Sequence, residues 1–347
     1  LDIAKGNLKW TAYTGGAIRI PPTIWQGRLF VGSGDGWVYS YEAKTGRLLW
    51  RFRAAPEERR IPVYGALLST WPVGSGVLVQ DGTAYFAAGI VNYDGTYVYA
   101  LDAVTGRIKW QNSTSGHLYP AARTGVSVQG HILLHDGKLY LAGGNAVSPV
   151  VYDASNGKCL NDPEQLKNCE SVAPRGWELF LIGDKVVAAG KPYYTNPKFP
   201  VYDRTVQEKT LHASNGERDI AWINNRRIVC FDPIDKQALT NCVTSLDASG
   251  KHIIQAWGHF KVHNKPSWEY VAEERAAVAL GKNAVVIARP GELVAVSLKD
   301  GKPLWTQPLQ APPVPWGLAV DPEGRVIVVL DDGRMACYGE AARTGAE

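Results

Sequence analysis

The stretch Leu101-Asp102-Ala103-Val104-Thr105-Gly106-Arg107-Ile108-Lys109-Trp110 decides the fold, because its pattern recurs along the chain with the same internal spacing. At the N-terminus, residues 1–10 (Leu-Asp-Ile-Ala-Lys-Gly-Asn-Leu-Lys-Trp) match it in Leu, Asp, Gly, Lys and Trp. Looser copies begin at Tyr41 and Ser297, and a copy beginning at Tyr152 keeps all but the Trp. Self-similarity of this kind predicts a repeat architecture.

Each unit has the pattern of a strand, a tight turn and another strand. Residues 98–101 (Val-Tyr-Ala-Leu) have the pattern of a half-buried strand, and Thr105-Gly106 supplies the turn, since Gly adopts positive φ readily. A second strand that ends in Gly precedes each copy, as in residues 28–32 (Arg-Leu-Phe-Val-Gly). Every repeat is therefore predicted to be a small antiparallel sheet, the blade of a β-propeller.

The repeat resembles the docking motif of the quinoprotein-like (PQQ-like) propeller family, Ala-x-Asp-x-x-Thr-Gly-x-x-x-Trp. The match is specific at Asp102, Thr105, Gly106 and Trp110. In that family the Trp of each blade packs between blades. The resemblance therefore implies a structural docking role for Trp10, Trp50, Trp110 and Trp305.

The predicted fold is all-β, a single propeller domain over residues 1–347 with about seven four-stranded blades of WD-type architecture. Six blades remain an alternative if the degenerate middle is one blade with an insertion, and eight if the chain is truncated. The predicted boundaries are a closing strand at 1–10 and blades at 11–50, 51–110, 111–160, 161–212, 213–257, 258–305 and 306–340. The N-terminal strand, residues 7–10, is expected to complete the blade begun by residues 318–338, because a propeller does not leave an open edge.

Composition narrows the classes of function. The net charge of +4 is mild and comes with no basic helix, which argues against a nucleic-acid partner. No apolar run reaches the roughly 18 residues of a membrane span. The chain starts inside a repeat, so we expect a mature product or part of a longer chain.

The five cysteines leave two interpretations open. Local disulfides are predicted between Cys159 and Cys169 and between Cys230 and Cys242, with Cys337 left over, which would mark a periplasmic or extracellular protein. The alternative is five buried or inert thiols. No Cys-x-x-Cys is present and the histidines lack zinc-site spacing, so no metal is expected.

Propeller geometry places the long connections of this chain around one mouth, because loops between second and third strands share a face with those joining blades. Arginines suit carboxylates or sulfates there, and tyrosine rings stack on sugars. The alternative is an ordinary solvated surface. The candidate ligand-binding residues are Arg59, Arg60, Tyr64, Asn92, Tyr93, Arg123, Lys191, Tyr193 and Arg289.

The resemblance also raises the question of whether the chain binds the quinone cofactor PQQ. Family members that carry it have adjacent cysteines joined over the ring, a calcium ion held by Glu, Asn and Asp, and a base Asp. This chain has no adjacent cysteines, so we expect no PQQ and no other cofactor, and a quinone-dependent dehydrogenase is the least favoured function.

Two hypotheses from different classes follow. The favoured one is an exported, non-catalytic propeller that binds a protein partner or an acidic glycan, as relatives of the family do when they act as scaffolds. The alternative is a polysaccharide lyase with His117 or Tyr119 as base and Arg59, Arg60 or Arg123 facing the uronate carboxylate. The repeats explain most residues and no catalytic constellation stands out, which favours the binding module.

Overall fold

The computed structural model describes residues 2, 6–63, 65–90, 94–116, 125–128, 130–142, 149–161, 178–182, 185–189, 209–214, 218–223, 227–231, 267–272 and 277–339. Their regular structure is almost entirely β-strand, without an α-helix in these ranges. The chain divides into two compact units. The first unit comprises residues 9–207 and 237–261, and the second comprises residues 1–8, 208–236 and 262–347.

The first unit contains successive antiparallel sheets whose strands follow chain order. One four-stranded sheet consists of β1 (Thr23–Trp25), β2 (Arg28–Gly32), β3 (Trp37–Glu42) and β4 (Leu48–Arg53). A hairpin of β5 (Arg60–Val63) and β6 (Ala66–Ser69) follows it. The next four-stranded sheet consists of β7 (Leu78–Gln80), β8 (Thr83–Ala88), β9 (Tyr97–Asp102) and β10 (Ile108–Asn112). Then come β11 (Ile132–His135), β12 (Lys138–Leu141) and β13 (Val150–Asp153), and the pair β14 (Glu178–Ile182) and β15 (Lys185–Ala189).

The second unit has the same plan. A four-stranded sheet consists of β16 (Lys209–Ser214), β17 (Asp219–Ile223), β18 (Arg227–Phe231) and β19 (Trp268–Val271). Another consists of β20 (Ala277–Leu280), β21 (Ala284–Arg289), β22 (Glu292–Ser297) and β23 (Pro303–Pro308). The last sheet consists of β24 (Pro313–Val320), β25 (Val326–Leu330) and β26 (Met335–Tyr338).

The core lies between neighbouring sheets. All six residues of β8 are buried, because both faces of this inner strand are covered, whereas the outer strand β4 alternates between exposed and half-buried residues. Phe30 and Val38 of one sheet share a core with Phe86 and Leu101 of the next. Face-to-face packing of this kind requires apolar residues on both faces of the inner strands, which the sequence supplies.

Hairpin turns at Gln26-Gly27, Asp81-Gly82 and Asp136-Gly137 join the first two strands of three sheets in the first unit. Both residues of each turn have positive φ, as a two-residue hairpin that follows the strand twist requires. The turn between the third and fourth strands lies at the same end of the sheet as the hairpin between the first and second strands, because neighbouring strands run in opposite directions. The loops between second and third strands therefore occupy the opposite end, here called the loop end.

The structure does not confirm the predicted ring closure. Residues 7–10 are not in a strand, and β24–β26 has three strands within the described residues. The Trp10 indole donates to the Ala43 carbonyl of the sheet β1–β4. The number of blades stays a prediction, as do the predicted boundaries.

The described residues include no helix that is long and apolar enough to cross a membrane.

Candidate functional site

The repeat turn is built around its aspartate. The Asp102 Oδ1 atom accepts hydrogen bonds from the amides of Val104 at 3.1 Å and Thr105 at 2.7 Å, and from the Thr105 hydroxyl at 2.8 Å. These donors stabilise the charged form, chiefly through the Thr105 amide, and hold the pKa of Asp102 below its ordinary value. Asp153 has an equivalent arrangement with Ser155. Both carboxylates shape turns, which leaves them unsuited to acid or base work.

The three N-terminal repeat tryptophans each reach the turn of the following sheet. The Nε1 atoms of Trp10, Trp50 and Trp110 donate to the carbonyl oxygens of Ala43 at 3.0 Å, Ala103 at 3.2 Å and Ala154 at 2.9 Å. Each indole ring covers the glycine of that turn, and the three glycines are Gly46, Gly106 and Gly157. These glycines have φ between 71° and 76°. The turn needs glycine both for its backbone and for the space that the indole occupies.

In the second unit Trp268 docks in the same way, although the repeat motif did not predict it. Its Nε1 atom donates to the Leu298 carbonyl at 2.9 Å, and its ring covers Gly301. Trp305, which was predicted to dock, is 37% exposed on the outer strand β23. The available signal for Trp268 was its position ahead of the turn at Gly301, at nearly the same sequence distance as Trp10 lies ahead of Gly46.

At the loop end of the first sheet, the buried carboxylate of Asp35 fixes the N-terminal segment. Its Oδ2 atom accepts hydrogen bonds from the Gly15 amide at 2.8 Å and the Tyr39 hydroxyl at 2.6 Å, and its Oδ1 atom accepts from the Trp37 amide at 3.0 Å. Burial, and then the contact with Asp35, raise the pKa of Tyr39 to about 12. Asp35 is thus a structural carboxylate that accepts three hydrogen bonds. No motif in the sequence predicted this role.

Arg59, one of the predicted ligand-binding residues, joins two loops of the first unit. Its guanidinium lies over the Trp71 ring, with 4.4 Å from Cζ to the ring centroid. It pairs with Asp94, with 3.1 Å from Nη2 to Oδ1, and donates from Nε to the Thr70 hydroxyl at 3.1 Å. The Trp71 Nε1 atom donates to the Asp94 carbonyl at 2.5 Å, which closes the cluster.

The other two described arginines of the predicted binding face are also paired. The Arg60 Nη2 atom lies 3.0 Å from Glu58 Oε1. In the second unit, the Arg289 Nε atom donates to Glu292 Oε2 at 2.6 Å. Each of the three guanidiniums is therefore partly neutralised before any anion arrives.

Several predicted positions lie outside the described residues. Among them are both candidate lyase bases, His117 and Tyr119, and the predicted ligand contacts Tyr64, Asn92, Tyr93, Arg123, Lys191 and Tyr193. Cys169 and Cys242 also lie outside, so the two disulfides stay predictions, while Cys159 and Cys230 are buried and Cys337 is exposed.

The described residues do not provide the donor set that the family uses for its quinone and calcium ion. They contain no group of three or more His, Cys, Asp or Glu side chains that could hold a metal ion. The most deeply placed carboxylate of the loop end, Asp35, is already committed to three donors.

Comparison with known proteins identifies the family. A family model of PQQ-like repeats, described as "Outer membrane protein assembly factor BamB", matches residues 1–193. Polyvinylalcohol dehydrogenase of Sphingopyxis sp. (strain 113P3) is 27% identical over 279 residues, which cover 76% of this chain and 38% of that protein. The dehydrogenase subunit of the quinone alcohol dehydrogenase of Acetobacter aceti is 34% identical over 133 residues, 32% of this chain and 16% of that protein.

The chain thus spans well under two thirds of the length of these relatives. Among solved structures, a europium-containing methanol dehydrogenase has a TM-score of 0.53 at 12% identity, covering 94% of this chain and 77% of that one. This likeness supports the fold alone. The repeat turns, the docked indoles and the match over more than half of the sequence lead to one conclusion: the chain belongs to the PQQ-like β-propeller repeat family.

Proposed function

We propose that the chain is an exported, non-catalytic binding or scaffold module of this family, located in the periplasm or outside the cell. One observation carries the proposal. Two polar side chains in the described part of the loop end, where a propeller would place its chemistry, hold loops together. Asp35 fixes the N-terminal segment and Arg59 joins two connections. Groups engaged in this way are poorly suited to proton transfer, which needs a side chain within reach of substrate.

A protein partner is favoured over an acidic glycan. Arg59, Arg60 and Arg289 each have a carboxylate partner, so an incoming uronate would have to compete with an existing ion pair. The hairpin β5–β6 in the same region exposes apolar surface, with Leu67 62% and Ile61 42% exposed. The description of the matching family model as an outer membrane protein assembly factor also agrees with a role in binding protein.

A second candidate is a quinone-dependent dehydrogenase, which the names of the sequence relatives favour. The polysaccharide lyase stays a further alternative that rests on His117 and Tyr119. Both would show turnover by the purified chain, whereas the binding module would not.

Site-specific photo-crosslinking in the envelope of the producing cell tests the proposal. A photoreactive residue at Leu67, on the exposed hairpin, should give a discrete protein adduct, while one at Lys44, in the repeat turn at the other end of the sheet, should not. In parallel, the purified chain is supplied with PQQ, calcium and alcohols including polyvinyl alcohol, and separately with uronate polysaccharides. Dye reduction, or the ultraviolet absorbance of an unsaturated product, would overturn the proposal, as would equal crosslinking from both positions.

A further inference from the structure

Strand β4 departs from the repeat in its charge. The residues one and three places after the repeat Trp are Arg51 and Arg53 in β4. At the same positions, Gln111 and Ser113 follow Trp110, and Thr306 and Pro308 follow Trp305. The repeat itself therefore does not require arginine here, and the fold does not explain the two charges.

Both arginines project from the same face of the strand, because side chains two places apart in a strand do so. Both residues are exposed. The Arg51 guanidinium lies over the ring of Trp37 on the neighbouring strand, with 4.8 Å from Cζ to the centroid. Stacking of this kind uses the face of the guanidinium, so its in-plane N–H groups stay free to donate hydrogen bonds. Arg53 donates from Nη2 to the Pro56 carbonyl at 3.4 Å.

The arginines of β4 differ from the described arginines of the predicted binding face in whether they form ion pairs. Arg59, Arg60 and Arg289 each have a carboxylate partner. Within the described part of the chain, Arg51 and Arg53 have none. Their charge is therefore available to an incoming anion without breaking an ion pair.

The backbone of β4 is available as well. β4 is the last strand of its sheet and pairs, among the described strands, with β3 only. It contains no proline, so an extended segment could pair with its outer edge. The outer strand β23 differs, because Pro303 and Pro308 stand at its two ends.

We propose that the outer edge of β4 is a docking site for an extended acidic segment of a partner protein. The segment adds as a fifth strand, and carboxylates at alternate positions face Arg51 and Arg53. Main-chain hydrogen bonds would provide affinity, and the spacing of the two arginines would select acidic residues two apart. The inference rests on the proposed binding function but places its surface on the sheet edge, away from the loop end.

The test uses the full chain and fluorescent peptides of the same length as β4. One peptide alternates Glu and Thr, and a second has the same composition with its Glu residues in a block. A third keeps the alternation but carries a central Pro. The alternating peptide should bind best, and binding should weaken with added salt. The double variant Arg51→Gln/Arg53→Ser has the residue types of Gln111 and Ser113, which stand at the same positions after Trp110, so it should fold normally. It should weaken binding of the alternating peptide by about tenfold.

Any of the following results would overturn the proposal. Equal binding of the Pro-containing peptide would exclude strand addition, and equal binding of the block peptide would exclude selection by spacing. Binding of a sulfated polysaccharide without binding of any peptide would assign the edge to a glycan. If nothing binds, the arginines serve only to keep β4 from pairing with other edges. A Leu67 adduct that persists in any of these cases would leave the proposed binding function standing while the edge proposal fails.

Discussion

The indole of Trp50 lies so close to the α-carbon of Gly106 that a methyl group added there would come within 2.9 Å of the ring. The two residues belong to neighbouring sheets, and the hydrogen bond from Trp50 Nε1 to the Ala103 carbonyl holds them in this position. Two constraints thus converge on one glycine, a positive φ of 71° and the contact with the indole.

Gly106→Ala should therefore lower the free energy of unfolding by about 2–4 kcal/mol, through backbone strain together with a displaced indole. Gly27→Ala is the matched control, because Gly27 has φ of 72° and no atom within 4 Å of an added methyl group. It should cost only about 1 kcal/mol. Urea denaturation measures both. Equal losses would show that the indole contact imposes no constraint.

The two tryptophans of the second unit should differ in importance. Trp268→Phe removes a buried hydrogen bond to the Leu298 carbonyl and should cost about 2 kcal/mol. Trp305→Phe changes a half-exposed side chain on β23 and should cost less than about 0.5 kcal/mol. Thermal melts of both variants would decide this, and the reverse order would contradict the assignment of Trp268 as the docking residue.

Tyr39 should contribute a late step to the alkaline titration. Its folded pKa, raised to about 12, lies above the unfolded value, so its contribution to stability is fully present below pH of about 10 and is lost as the pH rises toward 12. Tyr39→Phe should remove one tyrosine from the late-titrating fraction in ultraviolet absorbance. An unchanged late-titrating fraction in this variant would contradict the raised pKa of Tyr39.

His131 should make the first unit sensitive to mild acid. Its Nε2 atom lies 2.9 Å from the Leu179 carbonyl, and burial lowers its pKa. A depressed folded pKa means that stability is fully present above the unfolded value of about 6.5 and falls as the pH drops below it. His131→Gln should flatten this dependence between about pH 5 and 7, measured by urea denaturation. An unchanged pH dependence of the free energy of unfolding in His131→Gln would contradict this role.

The cysteine pairing can be settled by counting free thiols on the denatured, unreduced protein. With the two predicted disulfides present, one of the five thiols should react. Five reactive thiols would reject both disulfides and would remove one argument for export.

The repeat sequence predicted the sheets of the first unit well, because residues such as those of β8 and β9 carry apolar side chains on both faces and lie between recognisable turns. It did not predict contacts between residues that are far apart in the sequence. Trp268 docks on Gly301, yet its segment lacks the flanking motif of Trp110.

The loop end was less predictable for the same physical reason. Pairing of Arg59 with Asp94 joins residues 35 positions apart, and no spacing rule in the sequence anticipates that contact. Arg51 and Arg53 lie within strand β4, whereas binding residues are expected on long loops.

The three docking contacts of the first unit all run the same way along the chain. In each described case the donor belongs to the earlier segment and the acceptor to the following sheet, from Trp10 to Ala43, from Trp50 to Ala103 and from Trp110 to Ala154. Every such bond couples nearest neighbours in the chain, so each sheet contributes partly through the stability of the next. Loss of one docking contact would then separate the unfolding transition into steps, and a repeat could be exchanged between relatives only together with the turn that receives its indole.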